Sequence, residues 1–342
     1  MRGAGLLTAA VFFGALTLLP FAVGAQWLLN MLIFTLMYAS LASAWNLVGG
    51  YAGYPSLGHA AFFGVGAYAI AILFEDSVGD GYLPFFLLPL IGVGAAVVSV
   101  PIGWVAMRTK ADVFAIVTIT LLFITQTLAF NLRGVTGGAQ GKSVGVAPFP
   151  VDTYGRPFYY AMLALLGLAM SASFYVRHSK IGLSLLAVRA DEDKAHGVGV
   201  RVTAVKLIAF AASAGITAMV GGVWAYYVGF IYPQFAVDPL LTIGMVLMTF
   251  LGGRATLWGP VVGAFILVPA QQSFAYQLGA SQVYLLAYAA IFLIIMLFLP
   301  RGILPTITDR LYRQGKHGEG SRAKAAGSSD EVTRDALRIA ER

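Results

Sequence analysis

RHSKIGLSLLAVRADEDKAHGVGVRVTAVK, residues Arg177 to Lys206, is the only charge-dense segment lying between long apolar blocks. It carries nine formal charges: Arg177, Lys180, Arg189, Asp191, Glu192, Asp193, Lys194, Arg201 and Lys206. At ~2.5–3.5 kcal/mol for each charge held at a bilayer centre, the whole set would cost more than ~20 kcal/mol. The segment therefore lies in water or against another protein, and the apolar blocks around it cross a membrane.

Composition agrees. The chain has 342 residues, 59% hydrophobic and 11% charged, and a mean hydropathy of +0.81. With apolar runs of about twenty residues recurring along it, it reads as an all-α, polytopic transmembrane helical bundle. The absence of cysteine excludes disulfides, thiolate chemistry and cysteine metal sites. A formal charge of +7 sits in loops on one side and in the tail, which suits anionic lipid at a cytoplasmic face and argues against nucleic acid.

Working outward in both directions gives about ten spans, each near the length that a bilayer requires. Those before the charged segment are Gly5–Gly24, Trp27–Gly49, Leu57–Phe74, Pro84–Ala106, Ala111–Phe130 and Phe158–Val176; those after it are Ala204–Gly229, Pro239–Gly252, Trp258–Ala275 and Val283–Pro300. The first is read as a retained helix, with a cleaved signal ending at Val23-Gly24-Ala25 as the alternative. Arg2, Arg108, Lys110, the organising segment, Arg254, Arg301, Arg310 and Arg313 then share one side. That places both termini in the cytoplasm. Glu75, Asp76, Asp80, Asp238 and the long loop Asn131 to Pro157 fall on the other side. The third and eighth spans are short and punctuated by glycine, the pattern of broken helices that line transport paths.

Residues 1–313 form the membrane domain on this reading, with a cytoplasmic loop at 177–206; residues 314–342, rich in Gly, Ser, Lys and Ala, read as a disordered cytoplasmic tail. A faint echo links Gly64-Val65-Gly66-Ala67-Tyr68 to Val261-Val262-Gly263-Ala264-Phe265.

Within the charged segment, Leu183, Leu186, Ala187 and Ala190 recur at helical spacing and predict one apolar stripe opposite Arg189. Asp191 then caps a second short helix that starts with Glu192 and Asp193 and ends at Gly197 or Gly199. Farther upstream, Gly49-Gly50-Tyr51-Ala52-Gly53-Tyr54-Pro55-Ser56-Leu57-Gly58-His59 breaks two apolar spans and frees backbone groups that protein, water or a ligand must meet. Ser56 and His59 are the polar side chains nearest the break, and a lone membrane histidine serves either as a hydrogen bond across helices or as a ligand group. Thr136-Gly137-Gly138-Ala139-Gln140-Gly141-Lys142-Ser143 mimics a phosphate-binding loop, but it lacks a glycine at Thr136 and a preceding strand, so nucleotide binding is rejected. No Asp, Glu, Lys or Arg lies deep in a span and no catalytic set appears, so proton coupling and intramembrane hydrolysis have no residues to serve them.

Three blocks together resemble the permease subunits of branched-chain amino-acid ABC importers, LivM type. The first is Trp45-Asn46-Leu47-Val48-Gly49-Gly50-Tyr51-Ala52-Gly53 with Ser56-Leu57-Gly58-His59-Ala60-Ala61-Phe62-Phe63-Gly64 and Gly66-Ala67-Tyr68. The second is Phe114-Ala115-Ile116-Val117-Thr118 with Thr136-Gly137-Gly138 and Gly141. The third is Ala187-Val188-Arg189 with Asp191, Glu192, Ala195 and Gly199, leading into Lys206-Leu207.

The resemblance implies import of leucine, isoleucine, valine or related solutes into the cytoplasm across the cell (inner) membrane. The chain would have no catalytic residue, metal or cofactor of its own, ATP being bound by partner subunits. Those partners would be two cytoplasmic ATPases, a second permease of the same family, a periplasmic solute-binding protein and membrane lipid. It further implies a transport path at Gly53, Ser56, Leu57, Gly58, His59, Thr118, Thr136, Gly137 and Gly138. ATPase coupling would fall to Arg189, Asp191, Glu192, Ala195 and Gly199. Tyr54-Pro55 stands where the family often has Gln-Leu, Ala190 where a carboxylate is usual, and Gln140 and Lys142 where Asp and Leu are common. The alternatives are a permease of the same family for urea, amides or other amino acids, and a self-sufficient channel or ion-coupled carrier.

Overall fold

In the computed structural model, which describes residues 2–22, 25–75, 78–79, 81–278, 290, 293, 297 and 302–307, the apolar blocks are helices. The N-terminal half holds α1 (Arg2–Ala22), α2 (Gln26–Trp45), α3 (His59–Leu73), α4 (Leu83–Ala106), α5 (Ala111–Asn131) and the one-turn α6 (Arg133–Thr136). Next come α7 (Gly155–His178), α8 (Lys180–Ala190), α9 (Glu192–Gly197) and α10 (Val202–Val228). The short α11 (Pro233–Ala236), α12 (Pro239–Gly252) and α13 (Gly259–Leu278) follow. Strands β1 (Lys142–Ser143) and β2 (Phe230–Ile231) pair antiparallel.

Among the described residues six helices are long and apolar enough to cross a membrane, and two shorter apolar helices, Leu7–Ala22 and His59–Leu73, join them. The expected span Val283–Pro300 lies almost wholly outside the described residues, as does the tail at 314–342. The helix α10 forms the centre, packing most extensively on α3 and α4 and also on α2 and α7. Its most apolar stretch is 72% buried, whereas those of α4 and α5 are 28% and 22% buried. A surface that is apolar yet unburied belongs to a lipid or a partner subunit rather than to water.

Small residues set the central spacing. A Cβ at Gly66 of α3 would collide with the Ala218 carbonyl of α10, and one at Gly221 of α10 would collide with the Phe63 carbonyl of α3. Backbones come this close only where side chains are absent, which is how membrane helices gain packing without a hydrophobic drive between them. The echo noted in the sequence has a structural counterpart: Gly263 of α13 lies against the Met248 carbonyl of α12 as Gly66 does against Ala218.

At one end of the bundle the long loop after α5 is tied down. The Val144 amide donates to the Gly229 carbonyl (2.9 Å), the Gly145 amide to Phe74 (2.8 Å), and Lys142 pairs with Glu75 at 2.5 Å. Below them Phe158 stacks edgewise on Phe85, Tyr226 and Tyr227. At the opposite end α2 runs on into a π-helical turn, Asn46–Ala52, which closes at Gly53 with φ +75°. The buried Asn46 side chain accepts from the Ala255 amide (2.8 Å) and donates to the Thr256 carbonyl (2.9 Å), so it holds the turn between α12 and α13. That turn contains Ala255 at φ 59°, a strained geometry for a residue with a Cβ.

Candidate functional site

The charged segment folds as the two helices α8 and α9. Ser179 caps α8 by accepting from the Gly182 amide (3.3 Å), and Asp191 caps α9 by accepting from the Lys194 amide (3.0 Å). Glu192 and Asp193 occupy the first turn, where the helix dipole favours them, and Gly199 follows the last turn with φ +86°. The apolar stripe of Leu183, Leu186, Ala187 and Ala190 lies on the outward side of α8, with Ala187 half-buried and the other three exposed. The buried residues of α8 are Gly182, Leu185 and Val188. Gly182 sits so close to the Val176 carbonyl that no side chain fits, and this contact sets the rotation of the helix. Leu183, Leu186 and Val198 are left 68%, 41% and 80% exposed.

Three side chains join this segment to the membrane helices. Glu192 accepts from Lys206 Nζ of α10 at 2.7 Å and from the Tyr54 hydroxyl. Lys206, whose side chain is 0% exposed, also donates to the Met107 carbonyl at the end of α4 (2.9 Å) and lies 4.0 Å from the Tyr54 ring centre. Its charge is thus met by an anion, a carbonyl and an aromatic face, the set a buried ammonium needs. Arg189 Nη1 donates to the Gly50 carbonyl at 2.9 Å, and the Arg189 stem lies over Gly53, where an added Cβ would come within 2.8 Å of Cγ.

Burial pushes the Glu192 carboxyl up, but hydrogen bonds from Lys206 and Tyr54 and the charges of Lys206 and Lys110 more than offset it and hold it below its ordinary value. Burial and the Glu192 carboxylate push the Tyr54 hydroxyl well above its usual range, so the proton stays on tyrosine. Burial and the nearby Arg254 charge lower Arg189. Ala195 is the buried residue of α9.

The residues grouped as a transport path fall in four places. Gly53 belongs to the contact with Arg189 just described. Ser56 and His59 form a second group with Ser213 of α10, all fully buried. Ser213 donates to the Ala44 carbonyl (2.6 Å) and so accepts from His59 Nε2 (2.7 Å), leaving Nδ1 to accept from the Ser56 hydroxyl (2.8 Å). This pattern assigns a neutral imidazole with its proton on Nε2, both nitrogens satisfied. Leu57 and Gly58 meet Thr118 of α5: the Leu57 amide donates to Thr118 Oγ1 (3.0 Å), and a Cβ at Gly58 would strike the Thr118 carbonyl. The Thr136 hydroxyl shares its proton between the Ala129 (2.6 Å) and Leu132 (2.9 Å) carbonyls, tying the last residue of α6 back to the end of α5, with Gly137 and Gly138 both at positive φ in the turn after it.

Removing the imidazole strands the buried Ser56 hydroxyl, at ~1–3 kcal/mol for an unsatisfied group, and leaves a cavity where the ring was, while Ser213 keeps its bond to the Ala44 carbonyl. His59→Ala is therefore expected to lower the unfolding temperature of the detergent-purified protein by several degrees. An unchanged melting temperature would show that the Ser56–His59–Ser213 bridge contributes nothing to folding.

A cavity of about 940 Å³ opens toward the end that carries β1 and β2, between α2, α3, α10, α12 and α13, and none of the expected path residues lines it. Its wall includes Phe63, Trp224, Asp238, Gly244 and Gln271. Sequence reasoning also passed over Lys206 as a buried group, Tyr54 as its neighbour and Asn46 as the bridge to the second broken pair. Tyr54 carried one signal, its departure from the family's usual residue.

A family model described as "Branched-chain amino acid transport system / permease component" matches residues 27–299. The high-affinity branched-chain amino acid transport system permease protein LivM of Salmonella typhimurium is 25% identical over 320 residues, covering 84% of this chain and 72% of the relative. LivM of Escherichia coli K12 is 25% identical over 335 residues, 89% of this chain and 76% of the relative. The LivH permease protein of Escherichia coli K12 is 25% identical over 295 residues, 78% of this chain and 91% of the relative. No solved structure gives a significant match.

Proposed function

The chain belongs to the family of branched-chain amino acid transport system permease components, and from that premise we propose that it is one permease subunit of an ATP-driven importer whose movement enters through α8 and α9. As a member of that family it is a non-catalytic, multi-pass transport subunit of the cell (inner) membrane. In the proposed complex two cytoplasmic ATPases, a second related permease and a periplasmic solute-binding protein complete the machine. The similarity of this chain to both LivM and LivH supports a partner of the same kind.

The observation that carries the reading is the face of the charged segment. Leu183, Leu186 and Val198 are exposed apolar residues on short helices outside the membrane spans, a combination that favours a protein partner over water. Behind that face, Glu192, Lys206, Tyr54 and Arg189 fasten the segment to α10, to the end of α4 and to the π-turn, so a push on α9 reaches several membrane helices at once. Two packed arrangements of those helices, biased by the ATPases, give alternating access.

We take the solute to be a branched-chain or closely related amino acid, the span count to be about ten, and both termini to be cytoplasmic. Residues 1–313 act as the permease domain and 314–342 as its tail. In this reading Arg189, Asp191, Glu192, Ala195 and Gly199 serve ATPase coupling, Arg189 and Glu192 by holding the segment to the membrane helices. Gly53, Ser56, Leu57, Gly58, His59, Thr118, Thr136, Gly137 and Gly138 act as the small, satisfied joints on which the path helices turn.

Gentle purification from the native host is expected to recover two further kinds of subunit, ATPase and permease. The purified assembly should move leucine into vesicles only with ATP. Leu183→Asp with Leu186→Asp should lower ATPase recovery at least tenfold while leaving the unfolding temperature unchanged, because neither side chain is in the core. A chain that purifies alone and transports without ATP would overturn the proposal in favour of a carrier or channel.

A further inference from the structure

Resting on the importer reading, we propose that the cavity between α2, α3, α10, α12 and α13 is where the permease receives its solute. The solute class it fits is a small zwitterion with an apolar side chain, its ammonium held by Asp238. At about 940 Å³ the cavity lies at the upper end of the ~300–1,000 Å³ usual for small-molecule sites, ample for one amino acid and its water. Its chemistry is divided. Phe63 and Trp224, with ring centres 5.2 Å apart, and the Tyr38 ring supply an apolar wall. Among the described residues lining it Asp238 is the one formally charged, and Gln271 adds an amide that can donate to a carboxylate. A lipid chain or an apolar helix seated here would leave that carboxylate beside hydrocarbon, whereas an ammonium satisfies it. Position supports the same occupant: the cavity opens at the end where β1 pairs with β2, opposite α8 and α9, so solute enters on the side away from the proposed ATPases.

Asp238 has a structural duty as well, capping α12 by accepting from the Leu240 amide at 2.8 Å. Asparagine caps as well as aspartate, so Asp238→Asn separates the two roles by removing the charge and keeping the cap. Gly244 lines the same space with only the Tyr38 ring near its missing side chain, at 3.2 Å, so Gly244→Leu fills the cavity without straining the backbone.

The test uses the whole importer purified from its host, in vesicles, with radiolabelled L-leucine and its des-amino analogue 4-methylpentanoate. Expected is ATP-dependent uptake of leucine and not of the analogue. In Asp238→Asn, leucine moved per ATP hydrolysed should fall about 10- to 100-fold, the range of a charge-assisted hydrogen bond. In Gly244→Leu it should fall comparably, with ATP hydrolysis still stimulated by the loaded binding protein in both. Leucine moved per ATP within twofold of the unaltered complex in both variants would overturn this site and leave the importer reading standing. No ATP-dependent uptake by the unaltered complex would overturn the importer reading and this inference with it.

Discussion

Replacing Glu192 with alanine is expected to cut solute-stimulated ATP hydrolysis by the assembled importer at least tenfold and to destabilise the permease by roughly 3 kcal/mol. The substitution leaves the Lys206 ammonium, with 0% of its side chain exposed, without an anion. Breaking a buried pair from one side costs ~3–5 kcal/mol, and the lower end applies because the Glu192 side chain keeps 35% exposure and some screening. The reverse change is milder. Lys206→Met removes the buried charge itself and leaves a carboxylate that water can reach, so it should cost less stability while still weakening the link between α9 and α10.

The two substitutions share one interaction, so the double variant should fall short of their sum by 0.5 kcal/mol or more, at about the low end of measured couplings between contacting residues. Because Glu192 is held below its ordinary value near ~4.3, the stability it contributes is fully present above that pH. It is lost as pH falls through the lowered value. Unaltered protein and Glu192→Gln should therefore differ evenly across pH 5 to 8 and converge only in stronger acid. Thermal unfolding in detergent and ATPase assays on the complex read both effects.

Gly66→Leu is expected to abolish recovery of folded protein. The new side chain would enter the space held by the Ala218 carbonyl, and parting the helices to admit it would also open the contact of Gly221 of α10 with the Phe63 carbonyl of α3, so the whole seam would be lost. Overpacking of a core costs ~1–3 kcal/mol when side chains can adjust, and more where the obstacle is backbone. Gly94→Leu on α4 is the matching control, since nothing lies within 4 Å of the added Cβ, and it should fold normally. Size-exclusion of tagged protein from solubilised membranes distinguishes them. A monodisperse Gly66→Leu peak of normal height would contradict the central packing of α3 on α10.

What the sequence made legible was local. Asp191 as a cap, Glu192 and Asp193 in a first turn and a glycine stop at Gly197 or Gly199 are effects of neighbouring residues; Asp191 caps α9, whose last residue is Gly197, and Gly199 follows at positive φ. Apolar run length likewise located the long helices, because bilayer thickness sets it. Which face of α8 is buried was not legible, since Gly182, Leu185 and Val188 turn inward where Gly182 meets the Val176 carbonyl, a contact that the spacing of leucines does not announce. Tyr54 and Glu192 are 138 residues apart, and Asn46 is 209 from Ala255. No periodicity announces pairings at such distances. Lys206 read as the last charge of the segment, opening the next helix, and it is the segment's buried anchor. Ser56 and His59 were singled out as polar groups at a break, and their side chains bond to each other and to Ser213.

The absence of cysteine makes the most direct test of the central claim a clean one. A single cysteine placed at Val198, 80% exposed at the end of α9, can carry a short photo-crosslinker in native membranes, with one at Val93 on the apolar face of α4 as the comparison. The account predicts an adduct between Val198→Cys and an ATPase subunit, its yield changing when nucleotide is added, and none from Val93→Cys. Absence of any ATPase adduct from Val198→Cys, in membranes that still take up leucine with ATP, would contradict the assignment of α8 and α9 as the point where the motor acts.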